Sequence, residues 1–291
     1  MWDDMRNTLL ISTNGFEGTW PAIEYGAWVA ESINADIVLL GVAEAAAPGV
    51  VARRAALDDV LDRAAALFHA KGLRHSTDRQ YGRCEEVVPR AAQAIDGLTV
   101  LGPFGRPRLR RLLLGRSIRS LLESIPTPVL YVQSACLPLK RMLICLGGLG
   151  YEITAEHLAV RLGAAAGAEA TLLHVAPPVD LDYPTSRLER EHWRDLENTD
   201  GLLGRNLRAG LEAARKAGMT ASIKARQGDV VEEILAEIGA GGYDLVCMGS
   251  QHGIGGLRHL YEANVTDEVA EHAACPLLTA RYSGEGVKNQ R

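Results

Sequence analysis

The sequence predicts an α/β protein built from two similar units, each with a parallel sheet covered by helices on both faces. Two observations carry this prediction: short apolar runs alternate with segments of helical periodicity, and the whole pattern restarts after residue 138. The 291 residues suit about two domains. Because 47% of them are hydrophobic but only 5% aromatic, the cores must consist mainly of aliphatic side chains.

The first unit is predicted to contain five strands alternating with four helices. Short apolar or weakly apolar runs predict strands at 8–12, 36–42, 79–81, 98–101 and 128–132, of which the third is the weakest. Helical spacing and capping residues predict helices from Thr19, with Pro21 in the first turn, over 57–68, over 85–95 and from Ile118. Strict alternation of this kind is typical of parallel strands joined by helical crossovers.

Five landmarks of the first unit recur in the same order in the second, at 141–147, 172–175, 228–233, 243–249 and 275–278. This order indicates an internal duplication. The second copy is longer, mainly between 180 and 218, where Gly201 and Gly204 are predicted to bend or split a helix. The predicted boundaries are 1–134 for the first domain, 139–283 for the second and 284–291 for a disordered tail.

Charge and cysteine usage exclude several classes of function. A net charge of −5 argues against general nucleic-acid binding. The five cysteines are scattered without a C-x-x-C pair, so neither a disulfide framework nor a zinc site is expected. No apolar run approaches the roughly 18 residues of a membrane span, and the N-terminus lacks the pattern of a signal peptide. We therefore expect a cytoplasmic protein that does not associate with membranes.

The strongest candidate site is the loop 102–117, which connects a buried strand to a helix. It contains Gly102, Gly105 and Gly115, and six arginines crowd the same region (106, 108, 110, 111, 116 and 119). Glycines allow a backbone to approach an anion closely, and a helix N-terminus attracts negative charge. The loop therefore predicts a phosphate cradle. The alternative is that the glycines serve only turns and helix packing while the arginines are solvated, and both interpretations stay open.

These features resemble the universal stress protein family in its tandem, two-domain form. The resemblance rests on the duplication, on Gly-x2-Gly-x9-Gly at 102–115 and on the His-Ala-x-Cys-Pro segment at 272–276. It implies two flavodoxin-like (adenine nucleotide alpha hydrolase-like) domains, each with five parallel strands. Many members bind ATP or AMP at the carboxyl edge of the sheet, and others bind no nucleotide. Members typically dimerise through the last strand, which implies an intrachain pseudo-dimer here and leaves a homodimer of the tandem chain open.

The resemblance also assigns nucleotide contacts residue by residue. It implies contacts from Thr13, Asn14, Val42, Gly102, Gly105, Arg106, Gly115, Arg116 and Ser117. Two of these positions depart from the family pattern. Asn14 stands where ATP-binding members carry Asp, and it keeps hydrogen bonding while it loses the charge. Arg116 stands where the family carries Ser or Thr, so a long guanidinium replaces a small hydroxyl.

The second copy of the site is degenerate. Gly147 replaces the aspartate, the loop from Gly249 to Gly253 is one residue too long, and Ala263 and Asn264 replace the last glycine and the hydroxyl residue. His252 and His259 are expected to be surface histidines, since no third metal ligand accompanies them.

The sequence lacks the motifs of several enzyme classes. There is no Gly-x4-Gly-Lys-Ser/Thr, no complete dinucleotide-binding fingerprint and no complete nucleophile elbow. We therefore predict a stress-response protein that binds ATP or AMP in its first domain as a sensor or regulator, and not an enzyme, with slow ATP hydrolysis left open. The alternative is an interaction or scaffold protein that retained the fold and lost the nucleotide.

Overall fold

A computed structural model describes residues 7–44, 50–104, 118–147, 153–176, 194–250 and 265–281. The chain divides into two compact units, residues 1–139 with 273–278 and residues 140–272 with 279–291. The predicted tail 284–291 lies outside the described residues.

The first unit is a parallel sheet with the strand order β3-β2-β1-β4-β5. Its elements are β1 Thr8–Thr13, α1 Trp20–Ile33, β2 Asp36–Ala43, α2 Val50–Ala70, β3 His75–Tyr81, α3 Cys84–Ile95, β4 Leu98–Leu101, α4 Ile118–Ser124 and β5 Val129–Tyr131.

The direction of winding places the helices in two layers. The chain moves outwards from β1 to β3 and then returns to the other side of β1 for β4 and β5. Because such crossovers are right-handed, α1 and α2 cover one face and α3 and α4 cover the other. In agreement, α1 contacts α2 and α3 contacts α4.

Strand position explains how clearly each strand could be predicted. Covered on both faces, β4 is buried throughout and was predicted at its observed bounds. At the edge of the sheet, β3 carries mostly exposed side chains, and it begins at His75, four residues before the predicted start.

The second unit repeats this arrangement with the order β8-β7-β6-β9-β10. Its elements are β6 Arg141–Cys145, α5 Ile153–Ala166, β7 Glu169–Ala176, α6 Leu202–Lys216, β8 Ala221–Gln227, α7 Val230–Gly241, β9 Leu245–Ser250, α8 Val265–His272 and β10 Leu277–Arg281. The helix contacts repeat as well, since α5 contacts α6 and α7 contacts α8. The predicted fold, two tandem α/β units, is confirmed.

The longer segment of the second unit differs from its prediction at Gly201. This glycine is the N-cap of α6 and so marks the start of a helix, whereas Gly204 is buried within it. Before it, residues 194–200 form turns and a short 3-10 helix at Leu196–Asn198. Residues 177–193 lie outside the described part of the chain.

A buried carboxylate ties β8 to α7 in the second unit. The side chain of Glu237 is 1% exposed and accepts hydrogen bonds from Lys224 Nζ (2.9 Å), Arg226 Nη1 (2.8 Å) and Tyr243 Oη (2.8 Å). Burial raises the pKa of Glu237, but the hydrogen bonds from Lys224, Tyr243 and Arg226 outweigh it, so the pKa lies below its ordinary value.

We expect Glu237→Gln to lower the free energy of unfolding by about 2–3 kcal/mol, because it leaves Arg226 facing a neutral amide while half-exposed Lys224 rehydrates. The control is Glu212→Gln, which breaks an exposed 2.8 Å pair with Lys216 and should change the stability much less, because solvent screens that pair. Urea unfolding followed by circular dichroism measures both. Equal effects of the two substitutions would contradict the structural role of Glu237.

The lowered pKa of Glu237 also predicts a pH dependence. A carboxyl with a folded-state pKa below its unfolded value of 4.5 stabilises the protein above that pH, and the contribution is lost as pH falls through the folded-state pKa. The difference in unfolding midpoint between the wild type and Glu237→Gln should therefore be constant near neutral pH and shrink below pH 4.5. A difference that grows with acidity would mean that the pKa is raised instead.

Candidate functional site

The strand order of the first unit reverses at β1, which is paired with β2 on one side and β4 on the other. The register places Thr13 beside Gly41 and Ser12 beside Leu101. Open α/β sheets bind ligands outside the carboxyl ends of their strands, at the point where the order reverses. In this unit that point is flanked by Asn14, which follows β1, and Gly102, which follows β4.

A relay of hydroxyl groups holds the loop after β1. Thr13 Oγ1 lies 2.6 Å from Thr19 Oγ1 and accepts a hydrogen bond from the Gly15 amide at 3.1 Å. Because Thr19 Oγ1 donates to the Phe16 carbonyl (2.7 Å), the proton between the two threonines must come from Thr13. Thr13 is fully buried, and its hydroxyl donates its single hydrogen to Thr19. Thr13 therefore positions the loop and has no side-chain donor left for a ligand.

Thr19 has a different role from the predicted one. It is the N-cap residue of α1, but its side chain makes no capping hydrogen bond. The reason is that its hydroxyl is engaged with Thr13 and the Phe16 carbonyl. Sequence reasoning thus missed Thr19 as part of the site, although the Thr-x5-Thr spacing across a strand end and a helix start was a usable signal.

Asn14 is half-buried and presents free donors. Its Oδ1 accepts the Phe16 amide hydrogen at 3.3 Å, and its Nδ2 makes no hydrogen bond to any part of the chain that the structure describes. The next residue, Gly15, has φ +79°, and a Cβ there would lie 2.6 Å from Leu57 Cα on α2. Only glycine fits this left-handed position, so the loop that carries Asn14 rests directly on α2.

Packing within the fold accounts for the residue types at Gly102 and Val42, as a ligand-binding role would. A Cβ on Gly102 would lie 2.8 Å from Thr19 Cα, so the glycine allows the end of β4 to approach the start of α1. The Val42 side chain is fully buried in the core, so only its backbone is available to a ligand. Packing of this kind gives both residues a role whether or not a ligand binds.

Ser12 adds a polar atom that sequence reasoning did not select. Its side chain is fully buried on β1, and its Oγ has no hydrogen-bond partner within the described ranges. Burying a hydroxyl without a partner is costly and calls for an explanation, such as a polar group supplied by a ligand or water.

The other predicted contacts of the loop fall outside the described residues. These are Gly105, Arg106, Gly115, Arg116 and Ser117, and they stay predictions. Of the six arginines, Arg119 on α4 is described, and its Nε donates to Glu123 Oε1 at 3.0 Å.

The corresponding edge of the second unit has different chemistry. Leu146 and Gly147 follow β6 at the positions that correspond to Thr13, the last residue of β1, and Asn14, so both polar side chains are absent at these two positions. Instead, His174 is 3% exposed and its Nδ1 lies 2.7 Å from the Leu146 carbonyl. Sequence reasoning did not single out His174, although a histidine inside an apolar strand was a visible signal. His252, His259, Ala263 and Asn264 lie outside the described residues.

Three further findings concern the described residues as a whole. They contain no group of three His, Cys, Asp or Glu side chains arranged to hold a metal ion. None of their helices has the length and hydrophobicity required to cross a membrane. None of the five cysteines, all of which lie among these residues, forms a disulfide bond.

Comparison with known proteins supports the tandem organisation. The model of the universal stress protein family matches the chain twice, over residues 5–133 and 138–281. A search of curated proteins found no match.

Solved structures of universal stress proteins share the fold. One from Archaeoglobus fulgidus is 15% identical, covers 95% of this chain and 97% of its own, and has a TM-score of 0.71. A putative universal stress protein from Pseudomonas aeruginosa is 17% identical, with coverages of 95% and 93% and a TM-score of 0.63. A universal stress protein in complex with cAMP matches 50% of this chain and 99% of its own, with 19% identity and a TM-score of 0.39.

The packing of Gly102 predicts a contrast between the two copies. Gly102→Ala should lower the free energy of unfolding by about 1–3 kcal/mol, because the new methyl meets the backbone of Thr19, the N-cap residue of α1. Gly147→Ala is the control, since a Cβ there meets no described atom within 4 Å, and its effect should stay within about 0.5 kcal/mol. Thermal unfolding measures both changes. A neutral Gly102→Ala would mean that packing does not require this glycine.

Proposed function

The chain belongs to the universal stress protein family, and from this premise we propose that its first unit binds an adenine nucleotide, ATP or AMP. The single observation that carries the proposal is the Nδ2 donor of Asn14, which lies at the reversal point of the sheet and has no hydrogen bond within the described residues. It belongs to the copy whose loop keeps the glycine spacing of the family.

The described residues suit a polar ligand at this edge. Asn14 Nδ2 offers donors to ribose or phosphate oxygens, which accept hydrogen bonds. Ser12 Oγ is a buried hydroxyl without a partner among the described residues, next to Leu101 in the register. Asn14 Nδ2 gains hydrogen bonds if a ligand with several oxygens lies at the carboxyl ends of β1 and β4, whereas Ser12 Oγ is fully buried and would take part only through a water or a shift of its neighbours.

The phosphate part of the proposal rests on sequence alone. Glycines at 102, 105 and 115 keep the family spacing, and Arg106 and Arg116 stand within the loop. A guanidinium forms strong, often bidentate hydrogen bonds to phosphate, so Arg116 can replace the hydroxyl of the family pattern with a charged contact.

A second candidate function is an interaction or scaffold role without nucleotide. The observation that favours it is the close approach of Gly102 to Thr19, because this packing requires a glycine at 102 even if no ligand binds. The substitutions at Asn14, Arg116, Gly147 and Ala263 point the same way. An adenine nucleotide that copurifies stoichiometrically with the protein would exclude this candidate.

We further propose a sensory or regulatory role in the cytoplasmic stress response, with binding and not turnover as the activity. Slow ATP hydrolysis is the minor alternative, and it predicts release of ADP. For assembly, we propose an intrachain pseudo-dimer of the two units, without nucleic-acid or membrane partners. Light scattering distinguishes a monomeric tandem chain from a homodimer.

Isothermal titration calorimetry with ATP and AMP tests the nucleotide proposal. We expect saturable binding with about one site per chain. Gly105→Glu should abolish it, because a carboxylate in the phosphate loop repels the ligand. The matched substitution Gly253→Glu, in the degenerate second loop, should leave binding unchanged.

Absence of heat and of a thermal shift at millimolar nucleotide would refute nucleotide binding and favour the scaffold role. Loss of binding in Gly253→Glu, with binding retained in Gly105→Glu, would move the site to the second unit.

A further inference from the structure

We propose that Phe16 is the aromatic platform on which the base of the nucleotide stacks, an inference that rests on the function proposed above. Phe16 lies two residues beyond Asn14 at the reversal point of the sheet and is 45% exposed. Among the described residues it is one of three large hydrophobic side chains left exposed, with Tyr81 and Leu202. An exposed aromatic ring beside a candidate site offers a face on which a planar base can stack.

The backbone of Phe16 is held in place from both sides. Its carbonyl accepts hydrogen bonds from the Thr19 amide (2.8 Å) and the Thr19 hydroxyl (2.7 Å), and its amide donates to Asn14 Oδ1 (3.3 Å). A ring attached to such a backbone loses little conformational entropy when a ligand covers it. The same hydrogen bonds fix Phe16 and Asn14 relative to each other.

The ring itself rests on Gly18. A Cβ on Gly18 would lie 2.4 Å from Phe16 Cε1, so the ring occupies the space that any other side chain would need. The backbone of Gly18 therefore supports the ring from one direction, while nearly half of the residue stays accessible. A supported ring with accessible area is the arrangement required for stacking on a planar base.

The neighbouring aromatic residue does not offer the same surface. Trp20 already stacks with Arg63, whose Cζ lies 4.3 Å from the ring centroid. Arg63 is in turn fixed by Glu17, 2.6 Å from its Nη1. Glu17 is thus paired with a cation, and the charge next to Phe16 is compensated. Phe16 is the aromatic ring of this loop that remains for an uncharged, planar group.

Calorimetry of the full chain with AMP tests the inference, with ribose 5-phosphate as the probe that lacks a base. Phe16→Ala should weaken the binding of AMP about 5- to 150-fold, the range expected for loss of base–aromatic stacking, and should change the affinity for ribose 5-phosphate little. Phe16→Trp should retain AMP affinity. Leu202→Ala is the matched control, an exposed apolar side chain of the second unit, and should bind AMP like the wild type.

The Phe16→Trp variant gives a second readout. After subtraction of the wild-type signal, which contains the four natural tryptophans, its fluorescence should be quenched by AMP and not by ribose 5-phosphate. If Phe16→Ala fails to fold, this fluorescence measurement alone tests the stacking role.

Unchanged AMP affinity in Phe16→Ala, or equal loss for AMP and ribose 5-phosphate, would overturn the stacking role while nucleotide binding stands. Failure of the wild type to bind AMP and ATP would refute the proposed function and the stacking role together. The two failures are therefore distinguishable.

Discussion

The reversal of strand order at β1 is the constraint on which the first unit depends. Since β1 is hydrogen-bonded in parallel to both β2 and β4, the chain must leave its carboxyl end towards one face and leave β4 towards the other. The two loops diverge, and a crevice opens between them. The unit places buried polar groups at this point, and two of them, Thr13 and Thr19, satisfy each other because water is excluded from their position.

The second unit has the same strand order as the first but different residues at the carboxyl ends of its strands. In the second unit Leu146 replaces Thr13, and its carbonyl contacts the buried imidazole of His174. Buried polar interactions are concentrated elsewhere, around Glu237 between β8 and α7. With Gly82 aligned to Gly228, the corresponding residues of the first unit include Gln80 and Ala91, which cannot form that ion cluster. One copy thus has its polar network at the reversal point and the other near an edge strand, which is why we place the ligand in the first.

Apolar runs and the internal repeat were sufficient to predict the frame, since buried strands leave a continuous signal in sequence. The polar edge strand β3 left little signal, because most of its side chains face solvent. Of the site, the placement of Asn14 and Gly102 at one sheet edge was predictable from strand order. The role of Thr19 was not, because the same hydroxyl can cap a helix or bridge to a strand. The burial of Glu237 was equally hidden, since it depends on cations that reach it from β8.

The position of Asn14 bears on which ligand atoms the first unit accepts. Its Oδ1 is engaged by the Phe16 amide, so the atom left for a ligand is the donor Nδ2. An aspartate held in the same way would leave a second acceptor, which suits a ribose hydroxyl as donor but repels phosphate. Ribose hydroxyls can donate or accept, whereas ionised phosphate oxygens only accept. Loss of the carboxylate therefore keeps a ribose contact available and removes one repulsive charge from a protein of net charge −5. The departure from the family pattern at Asn14 is thus compatible with an anionic nucleotide, and the stronger test of the site is the phosphate loop that contains Arg116.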